Sequence, residues 1–189
     1  MADTVSDTVS DTLADTSPPR STLVVYFSRH GHTRRVAQLI AEQCGAETEE
    51  IVDGIDRRGL FGYLRSLAEA VLRLPVPIQP SRCSPRNYDT VIIGTPVWAW
   101  HLASPVRAYL GRHRGRFRRV AFFCCHRGWG SGPVLQEVAR LCARPPTATL
   151  SLSHLDVAQG RHRSSLSRFV RAVRSMRRPR RSEGWRQAA

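Results

Sequence analysis

Between Thr22 and Glu42 the chain reads TLVVYFSRHGHTRRVAQLIAE, an apolar run that breaks into a short loop and restarts at once with helical spacing. Leu23, Val24, Val25, Tyr26 and Phe27 are continuously apolar and rich in β-branched and aromatic residues, as a central strand of a parallel sheet must be when both its faces are covered. The residues that follow put Val36, Leu39 and Ile40 on one side of a helix and spread Arg34, Arg35, Gln38 and Glu42 over the rest. The segment reads as a strand, an anion-binding turn and a helix.

The turn is Ser28-Arg29-His30-Gly31-His32-Thr33. Its backbone N–H groups point at whatever sits before the helix N-terminus, where aligned peptide dipoles place about half a positive charge. The hydroxyls of Ser28 and Thr33 can donate to phosphate oxygens, and Gly31 lets the backbone approach without a Cβ in the way. A phosphate monoester fits such a turn. Arg29, His30, His32, Arg34 and Arg35 add positive potential at a helix end that already repels cations, a conflict that a bound dianion would remove. Taken one at a time, the same arginines also read as solvated side chains costing a few tenths of a kcal/mol.

At this point the sequence resembles the flavodoxin family. Val24 to Ile40 matches the family's FMN-phosphate signature at each constrained position: apolar Val24 and Val25, aromatic Tyr26, the hydroxyl of Ser28, small Gly31, Thr33, Ala37 and apolar Ile40. The resemblance extends over residues 22 to about 175 and weakens with distance from this turn. It implies FMN as cofactor.

The remaining pattern alternates strand and helix. Strands are expected at 22–27, near Glu49 to Val52, at Thr90 to Gly94, Val120 to Cys124 and Thr147 to Leu152. Helices are expected at about 33–44, 58–73, 104–110, 133–143 and 161–175. Five strands alternating with five helices predict an α/β fold, a doubly wound sandwich around a five-stranded parallel sheet. In the flavodoxin-like arrangement the strand order is 2-1-3-4-5, and ligands bind outside the carboxyl ends of the strands at the switch point between the first and third. Residues 1–20, with a repeated Asp-Thr-Val-Ser unit, read as a disordered acidic leader, residues 21–175 as the FMN-binding domain, and residues 176–189 as a basic disordered tail.

Two further loops converge on the same edge. The loop after the third strand, Thr95-Pro96-Val97-Trp98-Ala99-Trp100, carries two indoles at the mouth of the sheet, and a flat isoalloxazine ring is a plausible partner for one of them; the other is expected to pack beneath the loop as core. The loop after the fourth strand contains Cys125, His126, Arg127, Gly128, Trp129 and Gly130, whose glycines permit close backbone approach to a ring edge. Both positions match flavin loops of the family. Rival motifs fail here: Trp129 occupies the first glycine position of a G-x-S-x-G elbow around Ser131, and Pro133 stands where the last glycine of G-x-G-x-x-G belongs.

Composition narrows the chemistry. The 189-residue chain carries 29 basic and 15 acidic residues, a net charge of +14, and every basic residue is arginine. Without lysine, P-loop NTPase and Schiff-base chemistry are excluded. Residues 1–100 hold ten arginines against twelve acids, and residues 101–189 hold nineteen against three. Cys44, Cys83, Cys124, Cys125 and Cys142 show no zinc-ligand spacing and read as free thiols in a reducing compartment. With neither a bilayer-length apolar run nor a signal-peptide pattern, the expected address is the cytoplasm.

The leading expectation is an FMN-dependent oxidoreductase or electron-transfer protein. FMN carries the redox chemistry, so no side chain is named as catalytic, and His126 and Arg127 are the candidates for tuning the ring. The resemblance implies quinones, NAD(P)H or protein redox partners. Electron-carrier flavodoxins are typically acidic whereas this chain is basic, so the reading favours two-electron reduction of a small acceptor over one-electron shuttling. A flavin-free binding module, and nucleic-acid or anionic-membrane contact through the arginine-rich tail, stand as alternatives.

Overall fold

The computed structural model describes residues 20–54, 62, 68–69, 71–72, 76–98, 100–127 and 131–175. The leader, the tail and nearly all of the helix expected over 58–73 lie outside the described residues, although a backbone bond from Leu72 N to Ala68 O marks one helical turn there.

The first apolar run forms β1 (Arg20–Tyr26), and α1 (His32–Cys44) follows it. Then come β2 (Glu47–Glu50), β3 (Tyr88–Trp98), the two-residue β4 (His101–Leu102), α2 (Ser104–Arg112) and β5 (Val120–His126). The chain continues through α3 (Ser131–Cys142), β6 (Ala148–Ser153), α4 (His154–Ala158) and α5 (Arg163–Ser175). The strands lie in the order β2-β1-β3-β5-β6, every pair parallel, with β4 attached antiparallel to the end of β3. This is the expected 2-1-3-4-5 order with one small strand inserted in the numbering.

The continuous apolar runs are explained by burial on both sides of the sheet. Leu23, Val25, Val91, Ile93 and Phe122 face one layer with Val106, Tyr109 and Leu110 of α2 and Val134 and Val138 of α3. Val24, Ile92, Ala121 and Phe123 face the other with Val36, Ala37 and Ile40 of α1 and Leu166, Phe169, Val170 and Val173 of α5. Alternate residues of one strand thus serve opposite cores.

Several boundaries differ from the sequence expectation. The second strand sits two residues earlier than Glu49 to Val52, because an edge strand can be polar and Ile51 instead donates its N–H to Tyr26 O just beyond it. The third strand continues through residues expected as loop, since Val97 and Trp98 pair with Leu102 and His101. That hairpin reverses at Trp100, whose φ is 63°. The helix expected to begin at 161 is preceded by the separate α4, and Gly160, with φ 71°, divides the two.

Two contacts position the site-forming end. Arg107 of α2 donates to Glu137 of α3 at 2.7 Å with both side chains nearly buried, and also to Leu102 O, which ties both helices to β4. Removing the acid leaves a buried guanidinium without its counter-charge, so Glu137→Ala is expected to cost about 3–5 kcal/mol in urea denaturation. Gly94 of β3 lies opposite Phe123 of β5, and a Cβ there would fall inside the van der Waals envelope of that ring. Gly94→Ala should therefore destabilise by about 1–3 kcal/mol. Its cost should shrink in a Phe123→Leu background, measured by a double-mutant cycle.

Candidate functional site

Tyr26, Trp98 and His126 end three adjacent parallel strands at one edge of the sheet. The turn after β1 is shaped by Gly31, the N-cap of α1, whose left-handed backbone (φ 85°) an L side chain adopts only with strain. Gly31 N donates to Ser28 Oγ at 3.1 Å, so the serine braces the turn with one lone pair and keeps its own proton available. Thr33 is buried beneath the turn, on the face where Cys125 of β5 also sits. Arg34, counted among the charges of the turn, instead forms a bidentate pair with Glu50 of β2 (2.8 and 3.1 Å). Arg35 faces away beside Val157 and His162, which leaves Arg29 as the guanidinium at the turn with the His30 and His32 imidazoles beside it.

These residues open onto a cavity of about 540 Å³. Its phosphate-sized end is Ser28, Arg29, His30, His32 and Thr33, one wall is Pro96, Val97, Trp98 and Trp100, and the other is Cys125, His126, Arg127 and His154. The two indoles divide as expected. Trp98 is buried and meets Phe27 edge-on with centroids 5.6 Å apart, while Trp100 is 63% exposed on the hairpin tip. A flat apolar ligand would cover that indole.

The structure brings most of the sequence-derived candidates together, with exceptions. Thr95 is fully buried on β3, donates to Pro96 O and does not line the cavity, because the strand runs on past the expected loop start. Ala99, Gly128, Trp129 and Gly130 lie outside the described residues. His154 is a lining residue that the sequence reading missed. It directly follows β6, the strand beside β5, and stacks on His32 with centroids 4.3 Å apart and planes 20° from parallel.

The electrostatics are one-sided. Among the described residues the lining has two arginines and four histidines and no carboxylate. Asp156, the nearest acid in the chain to His154, is engaged with Ser153 at the start of α4 and with Arg161. Partial burial, followed by the nearby charges of Arg29, Arg127 and His32, holds the His30 imidazole below its ordinary range. Burial acts first on His154 as well, and His32, Arg127, His126 and His30 push it in the same direction. His126 Nε2 lies 2.9 Å from Ser151 Oγ, and its Nδ1 is buried without a partner among the described residues. Burial pushes the Cys124 and Cys125 thiols up to about 11 and about 12, so neither is a thiolate near neutrality. Among the described residues no group of three or more His, Cys, Asp or Glu side chains is placed to hold a metal ion, and no helix is long and apolar enough to cross a membrane.

A pH dependence follows from the histidines. Their pKa values are lowered by folding, so below the ordinary imidazole pKa of about 6.5 the unfolded chain binds more protons than the folded one. The ligand-free protein should therefore lose stability as pH falls from about 7 to 5. His154→Asn should flatten that slope in urea denaturation series; an equally steep slope would show that His154 is not held below its ordinary range by folding.

No family model matches the chain, and no curated protein matches it. Solved structures do. A flavoprotein from Lactobacillus acidophilus NCFM, crystallised in complex with FMN, aligns at TM-score 0.59 and 22% identity over 74% of this chain and 97% of its own. The apo form of the flavoprotein from that organism aligns at 0.56 and 21% over 72% and 95%. A candidate flavoprotein from Bacteroides eggerthii DSM 20697 aligns at 0.63 and 18% over 79% and 97%. Strand order, crossover pattern and these superpositions agree: the chain has the flavodoxin-like fold.

Proposed function

We propose that this protein binds FMN in the cavity at the carboxyl edge of the sheet and acts as a flavin-dependent oxidoreductase that delivers electrons in pairs to a small acceptor such as a quinone. The observation that carries the reading is the combination of a glycine-capped helix N-terminus, two hydroxyls and an aromatic wall around one cavity without a carboxylate in its lining. The residues present suit the cofactor part by part. Ser28, Thr33 and the first N–H groups of α1, with Arg29 and His30, suit the phosphate. Pro96, Val97, Trp98 and Trp100 suit a flat ring. The unpartnered His126 Nδ1 and the Arg127 guanidinium suit a polar ring edge. The complex of FMN with the Lactobacillus acidophilus flavoprotein of the same fold supports this choice.

Bound FMN supplies the redox chemistry, and the protein contributes binding, orientation and field. The chain's own residues dehydrate one side of the cavity through Trp98 and Val97 and hold positive potential over it through Arg29 and Arg127. Such a field favours accumulation of negative charge in the site, and with it full two-electron reduction over a one-electron stop. NAD(P)H is the donor class this reading carries, and the cytoplasm its compartment. One-electron shuttling to a protein partner is the second reading, and the absence of acids from the cavity lining weighs against it.

Thr33→Glu places a carboxylate at the phosphate position and should abolish FMN binding, measured by quenching of flavin fluorescence; unchanged affinity would sink the site assignment. Anaerobic titration of the FMN-loaded protein with a reductant should convert the oxidised spectrum directly to the reduced one, without an accumulating long-wavelength band. Arg127→Glu should lower the reduction potential of the bound flavin in the same experiment.

A further inference from the structure

The opposite edge of the sheet, where the strands begin, carries a second concentration of charge. Arg86 lies in the helical turn ahead of β3, Arg116 and Arg118 in the connection ahead of β5, and Arg144 between α3 and β6. Arg140 and Arg174 occupy the last turns of α3 and α5, whose helices run antiparallel to the strands and so end at this same edge. All six are exposed. The arginines outnumber the acids of this edge, where Asp89 pairs with Arg118 at 3.7 Å, Glu47 accepts from the Tyr88 hydroxyl at 2.7 Å and Glu42 is exposed in the last turn of α1.

Helix C-termini attract cations, which accounts for Arg140 and Arg174. It does not account for Arg86, Arg116 and Arg118, which precede strands. Arg144 donates to the Arg118 carbonyl, so two of the loops are held against each other. β3, β5 and β6 are neighbours in the sheet, so the loops that carry Arg86, Arg116, Arg118 and Arg144 lead into adjacent strands at one edge.

We propose that this edge binds the sugar-phosphate backbone of duplex nucleic acid, independently of base sequence and of the flavin cavity. Planar guanidinium forks suit phosphate oxygens. The large hydrophobic side chains that are exposed among the described residues are Val52, Val71, Leu72, Trp100 and Leu155, none of them among the loops and helix ends of this edge. The edge thus lacks the apolar anchor of a peripheral membrane face. Phe117 and Tyr88, the aromatics nearest the arginines in the chain, are buried, so no platform for stacking unpaired bases is exposed. Duplex backbone is the polyanion that asks for neither.

The test uses the full chain and a fluorescent DNA duplex of random sequence. With about four phosphates engaged, affinity should fall roughly a hundredfold between about 50 and 200 mM salt. Arg86→Gln/Arg116→Gln/Arg140→Gln, three exposed side chains outside the flavin cavity, should reduce the salt slope by about 3 and weaken binding at low salt more than tenfold. Arg82→Gln/Arg163→Gln/Arg168→Gln removes the same charge elsewhere and should change binding less than threefold. Equal losses in the two variants would mean that net charge alone binds DNA, and would overturn the proposal. It would equally be overturned by an absence of duplex binding, or by binding to phosphatidylglycerol vesicles without binding to duplex. FMN affinity, followed in parallel, should be the same in all three proteins.

Discussion

Burial of the β1–β3–β5 ladder on both faces is the constraint on which the rest of the structure depends. Leu23, Val24, Val25, Val91, Ile92, Ile93, Ala121, Phe122 and Phe123 are all inaccessible to solvent, so the centre of the sheet has no room for chemistry. Functional groups are therefore displaced to the strand ends, and parallel strands send their carboxyl ends to one edge. Gly94 sharpens the effect. It sits opposite Phe123 near the point where β3 and β5 reach that edge, and its missing side chain is what lets the phenyl ring cross the sheet.

From this constraint the site could be read far into the sequence. The run Leu23 to Phe27 could be covered on both faces only in a parallel sheet, and a turn with Ser28, Gly31 and Thr33 before an amphipathic helix left little doubt about which strand end would face a ligand. The structure adds a reason for Gly31 that spacing did not show, its left-handed backbone at the helix cap. What escaped the sequence was set by long-range contact. His154 belongs to no loop motif and reaches the cavity because β6 lies beside β5 and ends level with it. The hairpin at Trp100 depends on four residues pairing across a reversal, too few for a periodic signal. The second strand was displaced toward Ile51 and Val52 because apolar residues drew the assignment, whereas the edge position tolerates Glu47, Thr48 and Glu50.

The cavity stores an electrostatic conflict in its ligand-free state. A helix N-terminus, Arg29, Arg127 and four imidazoles share a space with no acid in the lining, and the neutral state of His30 and His154 is how the fold tolerates it. A bound dianion would relieve the conflict and raise both imidazole pKa values, so ligand binding and proton uptake are linked by the same residues. Arg34 shows that the fold can neutralise a cation where no ligand is needed, since Glu50 holds it in a bidentate pair. No equivalent carboxylate lines the cavity among the described residues.

The two edges of the sheet handle positive charge in different ways, and that difference separates their roles. At the carboxyl edge the cations line a cavity, partly buried, with aromatic residues among them, an arrangement that selects a small anion bearing a flat apolar body. At the amino edge the cations are exposed arginines on loops and helix ends, without an exposed aromatic beside them among the described residues, an arrangement suited to an extended polyanion. Because the full thickness of the ladder lies between the edges, screening at physiological salt, with a Debye length of about 8 Å, leaves each nearly blind to the other's charge. Occupation of one site is thus free to vary without retuning the second, and mutations at the arginine edge can be read as effects on polyanion binding alone.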